Sequence, residues 1–219
     1  GDNMSFTLAT LKTAIQDYTE NTETTFVNNL PLFIRAAEER ILKNVQLSFF
    51  RKNVTANFSA SDQFLAIPSD FLAPFSLSFT DSSSNKNFLD FKDVNFLQEF
   101  TPNPATTGSP RYYAVFDVSN FIIAPTPASA LAVELHYYYR PGSLTTSGDS
   151  GTTWLSENAE LALLYASLYE AYTFMKGEAD VLQNYNARLV EAISSLKMLG
   201  EAKEVTHEYR AGKVVRQKQ

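Results

Sequence analysis

Five short stretches of this sequence carry residue types that could do chemistry. Gly148-Asp149-Ser150-Gly151 has the look of the nucleophile segment of trypsin-like proteases. A serine nucleophile needs a histidine held by an aspartate, and oxyanion donors in place. Here Thr152 stands where that segment carries a further glycine, and His136 lies inside a predicted strand. A Gly/Ser/Thr linker is the simpler reading. No lysine follows these glycines, so a phosphate-cradling loop is excluded as well. Glu204-Val-Thr-His207 has the spacing of a carboxylate-bridged di-metal site, which requires two such copies and two more glutamates. The sequence supplies one copy. Glu38 and Glu39 are neighbours on a predicted helix and point to different parts of its surface, an ordinary solvated face. With two histidines and no cysteine in the chain, acid–base work would fall to carboxylates, and none are paired for it. The expectation is a protein that is not an enzyme and that uses no cofactor and no metal.

The remaining two stretches suggest binding. His136-Tyr-Tyr-Tyr-Arg140 could present Tyr137 and Tyr139 as stacking platforms for sugars or bases. Tyrosines in strands more often pack half-buried. The closing residues hold Arg210, Lys213, Arg216 and Lys218 with no acid among them. The whole chain has 18 basic and 24 acidic side chains, so residues 1–209 carry 14 − 24 = −10 against +4 in the tail. A body of that sign disfavours nucleic acid. Fully extended, residues 201–219 reach roughly 60 Å. Tyr209, Val214 and Val215 can anchor such an arm on a neighbouring subunit, and an acidic neighbour would attract its charges.

Elements must position these residues. Residues 7–18 read as a short helix capped by Thr7, with Leu8, Leu11, Ile15 and Tyr18 on one face. After "ENTET" a second helix is predicted over 28–45, with Pro31 in its first turn. From Phe49 to about Thr153 the period falls toward two. Strands are expected at 52–58, 63–67, 75–79, 87–91, 111–116, 120–124 and 132–139, joined as antiparallel hairpins. Asp93 is placed to cap one helical turn over 93–100. Helix returns with a run capped by Ser156, whose Leu161, Leu164, Tyr165, Leu168 and Tyr172 form an apolar face, and which Gly177 ends. The last helix spans 179–199 and Gly200 stops it.

The fold class that follows is α+β. Two N-terminal and two C-terminal helices form a discontinuous four-helix domain (1–48 and 153–200). An antiparallel β domain (49–152) is inserted, and an extended C-terminal arm (201–219) follows. Hydrophobic residues at 44% and aromatics at 13% suit a packed core. No stretch approaches the ~20 apolar residues of a membrane span, and no leader-like segment opens the chain, so folding in the cytoplasm is expected.

Six phrases in order carry a family resemblance: "FIRAAEERI" (33–41), "IPSDFLAPFSL" (67–77), "PRYYAVFD" (110–117), "IAPTPASALAVELHYYYRP" (123–141), "TTWLSENAELALLYASLYEAYTFMKGEAD" (152–180) and a basic end. In that order and spacing the chain resembles the head-to-tail adaptor (connector) proteins of short-tailed phages. The resemblance implies a structural virion protein at the head–tail junction. Copies would form a ring, a dodecamer as is usual for the family, which docks under the portal protein and joins it to tail tube or nozzle proteins. DNA would pass through its channel without specific binding, and no membrane is involved. Carried onto this sequence, the portal-binding arm is Tyr209, Arg210, Lys213, Val214, Val215, Arg216 and Lys218. The reading from another class is a carbohydrate-binding β domain of a tail or host-recognition protein; a cell-wall hydrolase using carboxylates is a third.

Overall fold

The computed structural model describes residues 5–210, with side chains up to residue 202 apart from that of residue 47. It is α+β and divides into two compact units. One is Phe50–Arg140, and the other is built from the segments on either side of it.

The flanking unit is helical. Its first helix, α1 (Leu8–Thr19), begins in a capping box: Thr10 N–H donates to Thr7 Oγ1 at 3.2 Å, and Thr7 N–H to Thr10 Oγ1 at 2.8 Å. Two orphan amides of the first turn are thereby satisfied. The second helix, α2 (Thr24–Leu42), starts four residues before the expected point, which makes Pro31 internal. An internal proline costs about 3 kcal/mol. Phe26 and Leu30, both fully buried, offset it by about 1.5–3 kcal/mol each. Phe26 also meets the rings of Phe33 and Phe174 at 5.5 and 6.3 Å.

After the sheet unit, which holds α3 (Val94–Phe100), come α4 (Trp154–Asn158), α5 (Glu160–Phe174) and α6 (Ala179–Arg210). Thr153, not Ser156, caps this run, and Ser156 is its capping-box partner. The chain breaks helical phase at Ala159 (φ −138°, ψ 39°), which turns Leu161 outward and puts Leu163 at the centre of the core. Packed against α1, α2 and α6, α5 is the hub of this unit. Tyr165 and Tyr172 meet Tyr185 across the α5–α6 hairpin.

Two glycines act differently from the expectation. After α5 the left-handed residue is Lys176 (φ 55°), while Gly177 N–H closes the turn on the Tyr172 carbonyl at 2.8 Å. A left-handed non-glycine residue costs ~1–2 kcal/mol, and glycine adds back about 0.5–1 in chain entropy. Lys176→Gly is therefore expected to raise the stability of this unit by ~0.5–1 kcal/mol, read as a higher urea midpoint. Gly200 does not stop α6. It sits inside the helix where an added Cβ would come within 3.2 Å of the Phe49 ring and 3.3 Å of Gln46. Close packing against the short 3-10 turn Leu47–Phe49 explains this glycine. The helix continues to Arg210, a length of ~48 Å at 1.5 Å per residue.

The other unit is one seven-stranded sheet, with strands ordered β1-β9-β3-β4-β6-β7-β2. These are β1 (Arg51–Asn57), β2 (Phe64–Ala66), β3 (Phe71–Thr80), β4 (Lys86–Phe91), β6 (Tyr112–Val115), β7 (Asn120–Ala124) and β9 (Ala132–Tyr139). Thr107–Gly108 (β5) and Thr126–Pro127 (β8) form a two-stranded ladder apart. Within the sheet, pairing is antiparallel except between β4 and β6. Parallel neighbours need a crossover, and the helix α3 (Val94–Phe100) supplies it. Asp93 occupies its N-cap position without a side-chain bond. Pro74 is accommodated in β3 because the register with β9 slips there.

Val54, Leu65, Leu77, Phe79, Leu89, Phe121, Val133, Leu135 and Tyr137 all meet in one core, although β1 and β2 are the two ends of the sheet. The sheet is therefore curled around its own side chains. On β7 both faces are covered: Phe121 and Ile123 enter this core, and Ile122 and Ala124 pack with Leu97 of α3. This is why "NFIIA" reads as an unbroken apolar run.

Candidate interaction surfaces

Ser150 belongs to the helical unit and His136 to the sheet unit. The His136 ring is engaged on its own sheet, by Asn53 Nδ2 at 2.6 Å and Glu134 Oε1 at 3.1 Å. Gly148 takes the left-handed φ of 79° that a tight loop demands, which fits the linker reading. The side chains of Glu204 and His207 lie outside the described residues. Among the described residues there is no group of three or more potential metal ligands, and no helix is long and apolar enough to cross a membrane.

Glu38 and Glu39 part company. Glu39 is solvated and pairs loosely with Lys43 at 3.4 Å. Glu38 is buried, with only 5% of its surface exposed. Its carboxylate accepts from Ser143 Oγ at 2.8 Å and from the buried Leu144 N–H at 3.2 Å. Burial pushes its pKa up, against the pull of these two bonds and of Arg35. The group is a clamp that holds the 3-10 turn Leu144–Thr146 on α2.

The tyrosine run alternates as a strand must. Tyr137 turns into the core, and its hydroxyl donates to Asp70 Oδ1 at 2.7 Å. Burial and the Asp70 charge push its pKa up to about 12. Asp70 moves the other way: burial opposes ionisation, but Lys52 at 2.8 Å and Tyr137 hold its carboxyl below the usual value. Tyr139 is half-buried beneath the Lys52 ammonium, 4.2 Å from its ring centre. Neither ring is free to stack on a sugar; both pack as strand tyrosines are expected to, and the stacking alternative loses these two positions. The residues presented on the outer face are His136 and Tyr138, with Phe75 edge-on to both. Beside them Lys86 pairs with Glu134 at 2.5 Å. That bond first, then Asn53 and His136, lowers the Glu134 pKa to about 2.

A second surface was not legible in the sequence. On α3 and the strands beside it, Phe96 stacks on Phe100 at 6.2 Å, and Tyr112 meets both edge-on at 5.0 Å. Lys92 lies over Phe96 and Arg111 over Phe100 and Tyr112. Phe88 and Phe91 are also exposed. Exposed aromatics in such number mark an interaction surface. The only sequence signal was the unremarkable spacing of Phe96 and Phe100 at one helical turn.

Of the predicted arm, the backbone of Tyr209 and Arg210 ends α6. Their side chains, and all of Lys213, Val214, Val215, Arg216 and Lys218, lie outside the described residues.

The chain is thus two units, a helical one with a curled sheet inserted, and the sheet unit exposes clustered aromatic rings. Over residues 6–216 the chain matches the SU10 adaptor protein family, and it belongs to that family. It is thus a structural adaptor of a phage particle. No curated protein matches the sequence.

Proposed function

We propose that this chain is a head-to-tail adaptor: copies assemble into a ring, a dodecamer, that docks beneath the portal and joins it to tail tube or nozzle proteins. The observation that carries this reading is the family match, which runs through both units and into the basic end. In this reading the helical unit builds the ring wall. The inserted sheet unit, Phe50–Arg140, faces the tail, and the exposed aromatics around α3 are its contact. Residues 201–219 form the portal-binding arm. Tyr209, Arg210, Lys213, Val214, Val215, Arg216 and Lys218 make its contacts, the four cations meeting acids on the portal. The ring passes DNA without gripping it, which suits a body of net charge −10 (14 basic against 24 acidic side chains in residues 1–209). The protein is made in the host cytoplasm, acts in the virion and catalyses nothing.

The test mixes the cognate portal with the full chain and with a chain ending at Arg210, which keeps α6 whole. Complexes are counted by negative-stain imaging. Rings on portals are expected with the full chain and at least tenfold fewer with the truncation. Equal occupancy would remove residues 211–219 from the mechanism, and no occupancy by either would overturn the adaptor reading.

A further inference from the structure

The two end strands of the curled sheet, β1 and β2, face one another across a cleft of about 240 Å³. Its walls are Val54, Thr55 and Ala56 on one side and Leu65, Ala66 and Ile67 on the other, and Val133 and Leu135 line its depth. Counting the pairings from β1 round to β2, five are antiparallel and one is parallel, so the two edges run in opposite directions.

Backbone polarity along each edge follows from the register. Phe50 and Phe58 bond to β9, through Tyr139 N–H and the Leu131 carbonyl, so the even positions of β1 face β9. Asn53, Thr55 and Asn57 then point their N–H and C=O groups away from it. On β2, Gln63 and Ile67 bond to β7, which leaves the Ala66 N–H and C=O and the Phe64 C=O pointing outward. Neither edge has a partner strand among the described residues.

Edges exposed in this way are usually guarded by lysine, proline, a bulge or an inward charge. Across this cleft the six facing residues carry none of these. Lys52, tied to Asp70, and Pro68 stand only at one end. Two facing rows of unpaired backbone groups, above an apolar floor, have one natural complement: an extended polypeptide that donates and accepts on both sides.

We infer that the β1–β2 cleft is a strand-addition site for an extended segment of a different protein, with uncharged aliphatic side chains at alternate positions. The chain's own undescribed end does not have that pattern. In any extended strand Val214 shares a face with Arg216, and Val215 with Lys213. Either register would drive a cation against Val133 and Leu135. A different protein, with the pattern x-aliphatic-x-aliphatic-x, meets both demands. The inference does not depend on portal docking.

The test uses the full chain and a synthetic Lys-Ser-Thr-Val-Thr-Val-Thr-Ser-Lys peptide, whose lysines lie on the face opposite the valines, with amide exchange followed by NMR. At saturating peptide the amides of Asn53, Thr55 and Ala66 are expected to slow at least tenfold, while amides of α1 and α2 stay unchanged. The same peptide N-methylated at alternate amides should have no effect. Three results overturn the inference: no slowing with the parent peptide, equal slowing with the methylated one, or amides already protected in the free chain, which would show β1 and β2 closing on each other. Portal binding is measured separately, so failure here leaves that reading standing.

Discussion

Phe121→Ala is expected to cost the sheet unit about 3–5 kcal/mol, the range for emptying a fully buried phenylalanine site. Phe121 has no exposed surface, and its ring meets Phe71 at 5.2 Å and Tyr113 at 5.7 Å, both edge-on. It stands on β7, which is covered on both faces, so neighbouring side chains have little room to collapse into the space. For a unit of this size the loss corresponds to a fall of roughly 20 °C in its unfolding temperature. Phe88→Ala is the control. That ring is 66% exposed, and its removal should change stability by no more than about 0.5 kcal/mol. Thermal unfolding followed by near-ultraviolet circular dichroism of the tyrosines reads both. A loss under ~1 kcal/mol for Phe121→Ala would mean that the curled core is not packed as described.

The contrast between these two phenylalanines also shows what the sequence could and could not convey. Strand positions and the α+β class were legible because period-two runs and turn residues are local properties. Every major strand lies where alternation placed it, to within a few residues. Pro31 misled because the preference for proline in a first turn is local, whereas the reason it is internal is the burial of Phe26, a tertiary fact. Gly200 misled for the same reason: its role is the approach of Phe49, which no spacing encodes. The tyrosine run announced its aromatic content but not which ring faces inward. That depends on the register of β9 with β1 and β3, and a shift of one residue would exchange Tyr137 for Tyr138. Interaction surfaces were the least legible part. The cleft between β1 and β2 exists only because the sheet curls, and the α3 aromatics gather only because β4 and β6 run parallel.

Glu38 gives the second large effect and the clearest pH signature. Glu38→Ala removes the acceptor of the buried Leu144 N–H and leaves that donor unsatisfied, at a cost of about 1–3 kcal/mol. Ser143 Oγ suffers less, since Thr145 Oγ1 lies 2.7 Å away. Glu38→Gln keeps an acceptor for the Leu144 N–H and can turn its amide nitrogen to Ser143 Oγ, which accepts as well as donates, and it cannot ionise, which is its use. Burial raises the folded pKa of Glu38 above the ordinary 4.5, so the folded protein holds this proton more tightly than the unfolded chain. The stability increment from that proton is fully present below pH 4.5. It is lost as pH rises through the folded value. Asp70, whose pKa is lowered, contributes in the opposite sense, and both the wild type and the variant retain that contribution. Subtracting the two urea-unfolding profiles therefore isolates Glu38: the advantage of the wild type over Glu38→Gln should shrink as pH rises from 4.5 toward neutrality. A difference that grows with pH would mean that the hydrogen bonds from Ser143 and Leu144 outweigh desolvation. The clamp would then be a stabilised carboxylate, not a strained one.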